Sequence, residues 1–94
     1  MRITYDPQFL RKLKKANVRI RNNAKKRLLV FSRNPNDPQL NNHVLKDEYL
    51  GHRSIDVTGN WRAIYKELRQ GDKTIAYFVA LGTHIELYRR RRTS

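Results

Sequence analysis

The sequence predicts an α+β domain: an N-terminal strand, a two-helix hairpin, and a twisted antiparallel β-sheet that the helices cover on one face. Three observations carry this prediction. In the first third of the chain, apolar residues recur at helical spacing on a basic background. From residue 52 onward the period changes to alternation, in segments separated by short turns. Between the two regions lies RNPNDPQLNN (33–42), which its prolines and asparagines mark as a loop.

Each element has its own signal. Arg2–Tyr5 reads as a short strand. Asp6-Pro7 starts a helix, with Asp as N-cap and Pro at the first helical position. Phe9, Leu13, Ala16 and Ile20 then follow at i, i+4, i+7 and i+11, one apolar stripe on a basic helix. The expected turn is Asn22-Asn23, and a second helix is expected from about Ala24 to Ser32, with Leu28 and Phe31 inward. After the loop, His43-Val44-Leu45 enters the sheet and a polar bend leads to Gly51. HRSIDV (52–57) alternates, with Arg53, Ile55 and Val57 on one face and His52, Ser54 and Asp56 on the other. Thr58-Gly59-Asn60 turns the chain into WRAIYKEL (61–68), and Arg69–Asp72 turns it again. KTIAYFVALG (73–82) is apolar on both faces, as a central strand would be. The helices take one side of this sheet, so the other is expected to be the working surface.

Composition narrows the functional classes. A chain of 94 residues suits one domain, expected to span residues 1–94 with a basic tail at 89–94. Lys and Arg number 21 against 8 acids, a formal net charge of +13. Such a field draws polyanions, nucleic acid first, then an anionic membrane surface or an acidic protein. There are no cysteines, which excludes disulfide scaffolds and thiolate zinc sites. No apolar run approaches a transmembrane length and no signal peptide is visible, so a soluble cytoplasmic protein is expected. Three scattered histidines make no metal pattern. There is no glycine-rich phosphate loop and no Ser/His/Asp or Cys/His arrangement.

Strand phase gathers a different set. If Ile55 and Val57 are core, Asp56 faces the open side. If Ala63 and Tyr65 are core, Arg62 and Lys66 face the same way. His43 enters the sheet nearby, and His84 and Tyr88 lie just past the last strand. A carboxylate, imidazoles, a phenol and cations on one surface suit metal-free RNA cleavage: a base takes the 2′-OH proton, cations hold the pentacovalent phosphorus, and an acid protonates the leaving oxygen. Trp61 offers a ring on which a base can stack.

The motifs NHVL (42–45), LGHRSIDVTGNWRAIY (50–65) and LGTHIELY (81–88) resemble the RelE/ParE toxin superfamily of bacterial type II toxin–antitoxin pairs. They are nearest the RelE/StbE and YafQ branch, the ribosome-dependent mRNA interferases. The strand–helix–helix–meander order agrees over the full chain. The resemblance implies a RelE-like fold and places His43, Asp56, Asn60, Trp61, His84 and Tyr88 where the YafQ-like branch keeps its active site. That branch has histidine at the position of Asp56 and aspartate at that of Asn60. Arg62 matches the arginine that RelE places on the phosphate. The roles implied are Asp56 or His43 as base or its orienter, Arg62 on the phosphate, His84 as leading general acid, and Tyr88 positioning or stacking. RNA contacts are assigned to Lys46, Arg53, Asn60, Trp61, Lys66, Arg89 and Arg90, and His52 is read as a surface residue.

The resemblance also implies no cofactor, a cognate antitoxin that blocks the toxin, mRNA and ribosomal RNA as partners, and operator DNA only through the toxin–antitoxin complex. Two other readings share the composition: a ParE-like inhibitor of DNA gyrase, which needs no His/Asp/Tyr set, and a non-catalytic basic RNA-binding protein.

Overall fold

The computed structural model of the protein describes residues 1–88. It contains a five-stranded sheet in the order β1-β5-β4-β3-β2. The strands are β1 (Arg2–Tyr5), β2 (His43–Val44), β3 (Arg53–Asp56), β4 (Trp61–Gln70) and β5 (Lys73–Thr83). The helices are α1 (Pro7–Lys15), α2 (Val18–Arg33) and a short α3 (His84–Tyr88). The β3-β4-β5 meander is antiparallel, as expected. β1 pairs with β5 in parallel, which makes the sheet mixed. β5 is interior, between β1 and β4.

The link from β1 to α1 turns on Asp6. Its N–H donates to Phe78 O at 2.9 Å, which docks the strand end on β5. Its carboxylate caps α1 by accepting Gln8 N–H at 2.8 Å and also accepts the Tyr77 phenol at 2.8 Å. The helix break falls at Ala16-Asn17, not at Asn22-Asn23. Ala16 is extended, Asn17 Oδ1 accepts Ile20 N–H at 3.0 Å as the cap of α2, and the Arg21 guanidinium donates to Ala16 O at 2.8 Å. Asn22 and Asn23 lie inside α2.

The helices pack on one sheet face. Phe9 of α1 and Phe31 of α2 meet Tyr65 and Phe78 of the sheet, with centroids 4.9 Å apart for Phe31–Tyr65, 5.3 Å for Phe31–Phe78 and 5.6 Å for Phe9–Phe78. Edge-on and tilted geometries among these rings suit their quadrupoles. The buried Tyr65 hydroxyl accepts from Asn42 Nδ2 at 2.8 Å, and Asn42 Oδ1 accepts from Arg53 Nε at 2.8 Å. Leu40, fully buried in a 3-10 turn at Pro38–Leu40, anchors the proline-rich loop beneath them.

A bulge in β5 sets the opposite face. Phe78 pairs with Tyr65 and Ala80 with Ile64, so Val79 is an extra residue. The insertion switches the phase, putting Ala76, Phe78 and then Leu81 into the core. Strict alternation would have sent Leu81 outward and Ala80 inward.

Candidate active site

Cross-strand register assembles the face away from α1 and α2. His43 lies opposite Ser54, which lies opposite Ile64. One step along, Asp56 lies opposite Arg62, which lies opposite Gly82. Directly paired residues share a face, so His43, Ser54, Asp56 and Arg62 stand on one side of the sheet. Ser54 and Ile64 there are fully buried, so this face is only partly open.

Asp56 and Arg62 form an ion pair, Nε to Oδ1 at 3.0 Å, without an aligned hydrogen bond. Asp56 Oδ2 also accepts from Asn41 Nδ2 over a long 3.4 Å. Arg62 Nη1 donates to Thr58 O at 3.1 Å and Gly59 O at 3.0 Å, so Arg62 braces the β3–β4 turn as well. Among the described residues its Nη2 has no hydrogen-bond partner.

His43 is exposed on the edge strand, with Nδ1 2.8 Å from Asn41 O. A carbonyl only accepts, so the neutral ring carries its proton on Nδ1 and presents the Nε2 lone pair outward. Asn41 thus contacts His43 through its backbone and Asp56 through its side chain. It holds this place in the left-handed region, φ 49°.

His84 and Tyr88 come from α3, an element that the sequence reading did not include. Its signal is present in THIE (83–86), a capping box. Thr83 N–H donates to Glu86 Oε1 at 2.9 Å, and Glu86 N–H donates to Thr83 Oγ1 at 3.1 Å. Glu86 Oε2 also pairs with Lys12 Nζ at 3.1 Å, tying α3 to α1. Gly82 lets α3 fold back closely: a Cβ there would sit 3.1 Å from Glu86 Oε1 and 3.4 Å from Leu87 Cδ2. His84 N–H donates to Asn60 O at 2.9 Å, which fixes α3 to the β3–β4 turn.

The His84 imidazole is exposed, and its centroid is 4.7 Å from the half-buried Tyr88 ring. Tyr88 meets Tyr49 edge-on at 5.5 Å, and the Tyr49 hydroxyl donates to Leu87 O at 3.0 Å. Burial pushes the Tyr88 phenol above its ordinary value, against the opposing pull of the Arg62 charge and the nearby Ser54 hydroxyl. Ser54 Oγ, fully buried, makes no hydrogen bond of good geometry. Arg62 therefore links the Asp56 side of the face to the α3 side.

The remaining RNA-contact residues do not gather here. Trp61 points to the helix side, packed against the core, with Lys12 Nζ 5.9 Å from its ring centroid. Neighbouring strand residues face opposite ways, so Trp61 and Arg62 cannot share a surface. Arg53 is on the Tyr65 side, held by Asn42. Lys66 shares the face of Arg62 but stands four residues along β4, about 13 Å away. Lys46 is exposed in the bend after β2, and Asn60 is exposed in the turn that anchors α3. His52 is half-buried, its ring 6.1 Å from Tyr49. Arg89 and Arg90 lie outside the described residues, with the rest of the basic tail at 89–94. Among the described residues no three His, Asp or Glu side chains are grouped to hold a metal ion, and no helix is long and apolar enough to cross a membrane.

No protein-family model matches the chain, and no curated protein sequence does. Solved structures do. YafQ from E. coli strain BL21(DE3) is 29% identical, covers 94% of this chain and 99% of its own, and superposes with a TM-score of 0.73. The match to the E. coli DinJ-YafQ toxin-antitoxin complex is 30% identical over 92% of this chain and 94% of that one, with a TM-score of 0.66. The YoeB-YefM complex from Staphylococcus aureus, at 18% identity and a TM-score of 0.66 over 89% of this chain and 97% of that one, shares the fold. With this sheet, this helical layer and that identity across nearly the whole length, the chain belongs to the RelE/YafQ-like toxin superfamily.

Proposed function

We propose that the protein is the toxin of a type II toxin–antitoxin pair and an endoribonuclease that cuts mRNA on the ribosome, in the cytoplasm. The observation that carries this reading is the convergence of His43, the Asp56–Arg62 pair, His84 and Tyr88 about one sheet face. β2 and β5 are three strand spacings apart, about 14 Å. A phosphodiester between them is approached by His43 from one side and His84 from the other.

In this reading the His43 Nε2 takes the 2′-OH proton. The freed oxygen attacks phosphorus in line, and the 5′ oxygen leaves with a proton from His84. The products are a 2′,3′-cyclic phosphate and a 5′-hydroxyl, and no other reactant is consumed. Arg62 Nη2 offers charge to a non-bridging oxygen, while Asp56 keeps the guanidinium in place. The protonated Tyr88 phenol donates to the substrate or stacks beside His84.

The E. coli DinJ-YafQ neighbour is a toxin-antitoxin complex, which supports a cognate antitoxin for this chain. A net charge of +13 suits an acidic one. Ribosomal RNA and mRNA are its proposed nucleic-acid partners, with operator DNA reached only through the antitoxin.

Induced expression in bacteria tests the reading. Translation arrest with truncated mRNA, relieved by a small acidic protein encoded beside the toxin, is expected. DNA damage with intact mRNA would indicate gyrase inhibition instead. Arrest that survives both His43→Ala and His84→Ala would indicate a non-catalytic RNA binder.

A further inference from the structure

On the helix side of the sheet, a cleft of about 270 Å³ is lined by Lys12, Lys15, Ala16, Asn17 and Trp61. Its chemistry differs from that of the candidate active site. One wall is a partly exposed indole, with the Lys12 ammonium 5.9 Å from its centroid. Lys15, at the last position of α1, adds a second cation. The break at Asn17 brings the positive end of α2 to the same rim, and its first turn carries no acidic residue.

We propose that this cleft binds one nucleotide of single-stranded RNA, the base against Trp61 and a flanking phosphate between Lys12 and Lys15. The inference rests on the ribonuclease reading and adds a second point of contact to it. An aromatic face beside paired cations is the arrangement that grips single strands without reading sequence. The path from one site to the other is short. Trp61 and Arg62 are consecutive residues on opposite faces of β4, and the intervening turn carries Asn60, whose carbonyl holds His84 N–H. A strand leaving the catalytic face over residues 58–60 enters the cleft. The Lys12–Glu86 pair lies at the junction, 40% and 49% exposed, so Lys12 keeps N–H groups for a phosphate.

Trp61 is the sole tryptophan, so its emission reports on the cleft alone. The test titrates the protein with a short 2′-O-methyl oligoribonucleotide, which binds without being cut. Quenching of Trp61 emission is expected on binding. Lys15→Gln should weaken binding about tenfold, and the Lys12→Gln/Lys15→Gln double variant should abolish the quench. Followed by filter retention of the oligonucleotide, the double variant should also reduce the steepness of log affinity against log salt by about 0.7, the value for one single-strand phosphate contact. His84→Ala should leave the quench intact. Three results would overturn the proposal: an oligonucleotide that fails to bind, binding without a change in emission, or an equal quench in the double variant. Polyglutamate that quenches as strongly would replace the nucleotide with an acidic peptide. Cleavage of mRNA without a quench rejects the cleft alone, and a quench without cleavage rejects the ribonuclease reading alone.

Discussion

Tyr88 is where burial, charge and stacking meet in the candidate site. Its phenol is held above the ordinary 10 by burial, and Arg62 and Ser54 only partly offset this. The neutral form therefore persists throughout the neutral range, which leaves the phenol able to donate. Tyr88→Phe keeps the ring against His84 and Tyr49 but removes that donor. Single-turnover mRNA cleavage on ribosomes should fall about 10²-fold with the melting temperature nearly unchanged; an unchanged rate would leave Tyr88 a packing residue. The sequence made part of this visible. Period-2 phase put Asp56 and Arg62 together, and the register places His43 on their face. The same rule separates Trp61 from Arg62, so the family pattern that grouped them says less about location than the alternation does. Asn41 was not legible as a site residue, because its place comes from a left-handed turn; strand phase put Ser54 on the face of Asp56, but its full burial there had no sequence signal.

At the scale of elements, caps decide where the chain bends. The stripe of Phe9, Leu13, Ala16 and Ile20 runs through the α1–α2 break, because only two extended residues, Ala16 and Asn17, interrupt two helices that pack on the same sheet. Periodicity alone does not detect that interruption, whereas the Asn17 cap explains it. Asn17→Ala should cost about 1 kcal/mol and lower the melting temperature by about 4–8 °C in scanning calorimetry; no change would mean that Arg21 alone holds the break. The capping box of α3 is readable in THIE. Glu86 makes its cap testable by pH. The Thr83 N–H and Lys12 hold its carboxyl below the ordinary 4.5. A depressed folded value means stabilisation present above the ordinary range and lost as pH falls through the lowered value. The Thr83 amide shift should titrate with a midpoint below 4.5, and Glu86→Gln should abolish that titration. A midpoint at or above the ordinary value would contradict the cap. The parallel pairing of β1 had no sequence signal, since four residues do not encode the direction of their partner.

Across the whole molecule, one aromatic core supports both the candidate active-site face and the helix layer. Phe9, Phe31, Tyr65 and Phe78 each sit at 1% exposure or less, between the helices and the sheet. Phe31→Ala should lower unfolding free energy by about 3–5 kcal/mol in urea titration, a large part of the 5–15 kcal/mol usual for a domain. A loss under about 1 kcal/mol would show that the cluster is not the structural centre. With the core on one side, the register sets His43, Asp56 and Arg62 on the other, beside His84 and Tyr88 of α3, and the proposed reading puts one phosphodiester among them. The most direct measurement is to map the 3′ ends of mRNA after incubation with purified ribosomes and either the protein or its His84→Ala variant. The account predicts discrete ends bearing 2′,3′-cyclic phosphate, formed at least 10²-fold more slowly by the variant. Equal cleavage by the two proteins, or intact mRNA with both while translation still stops, would contradict it.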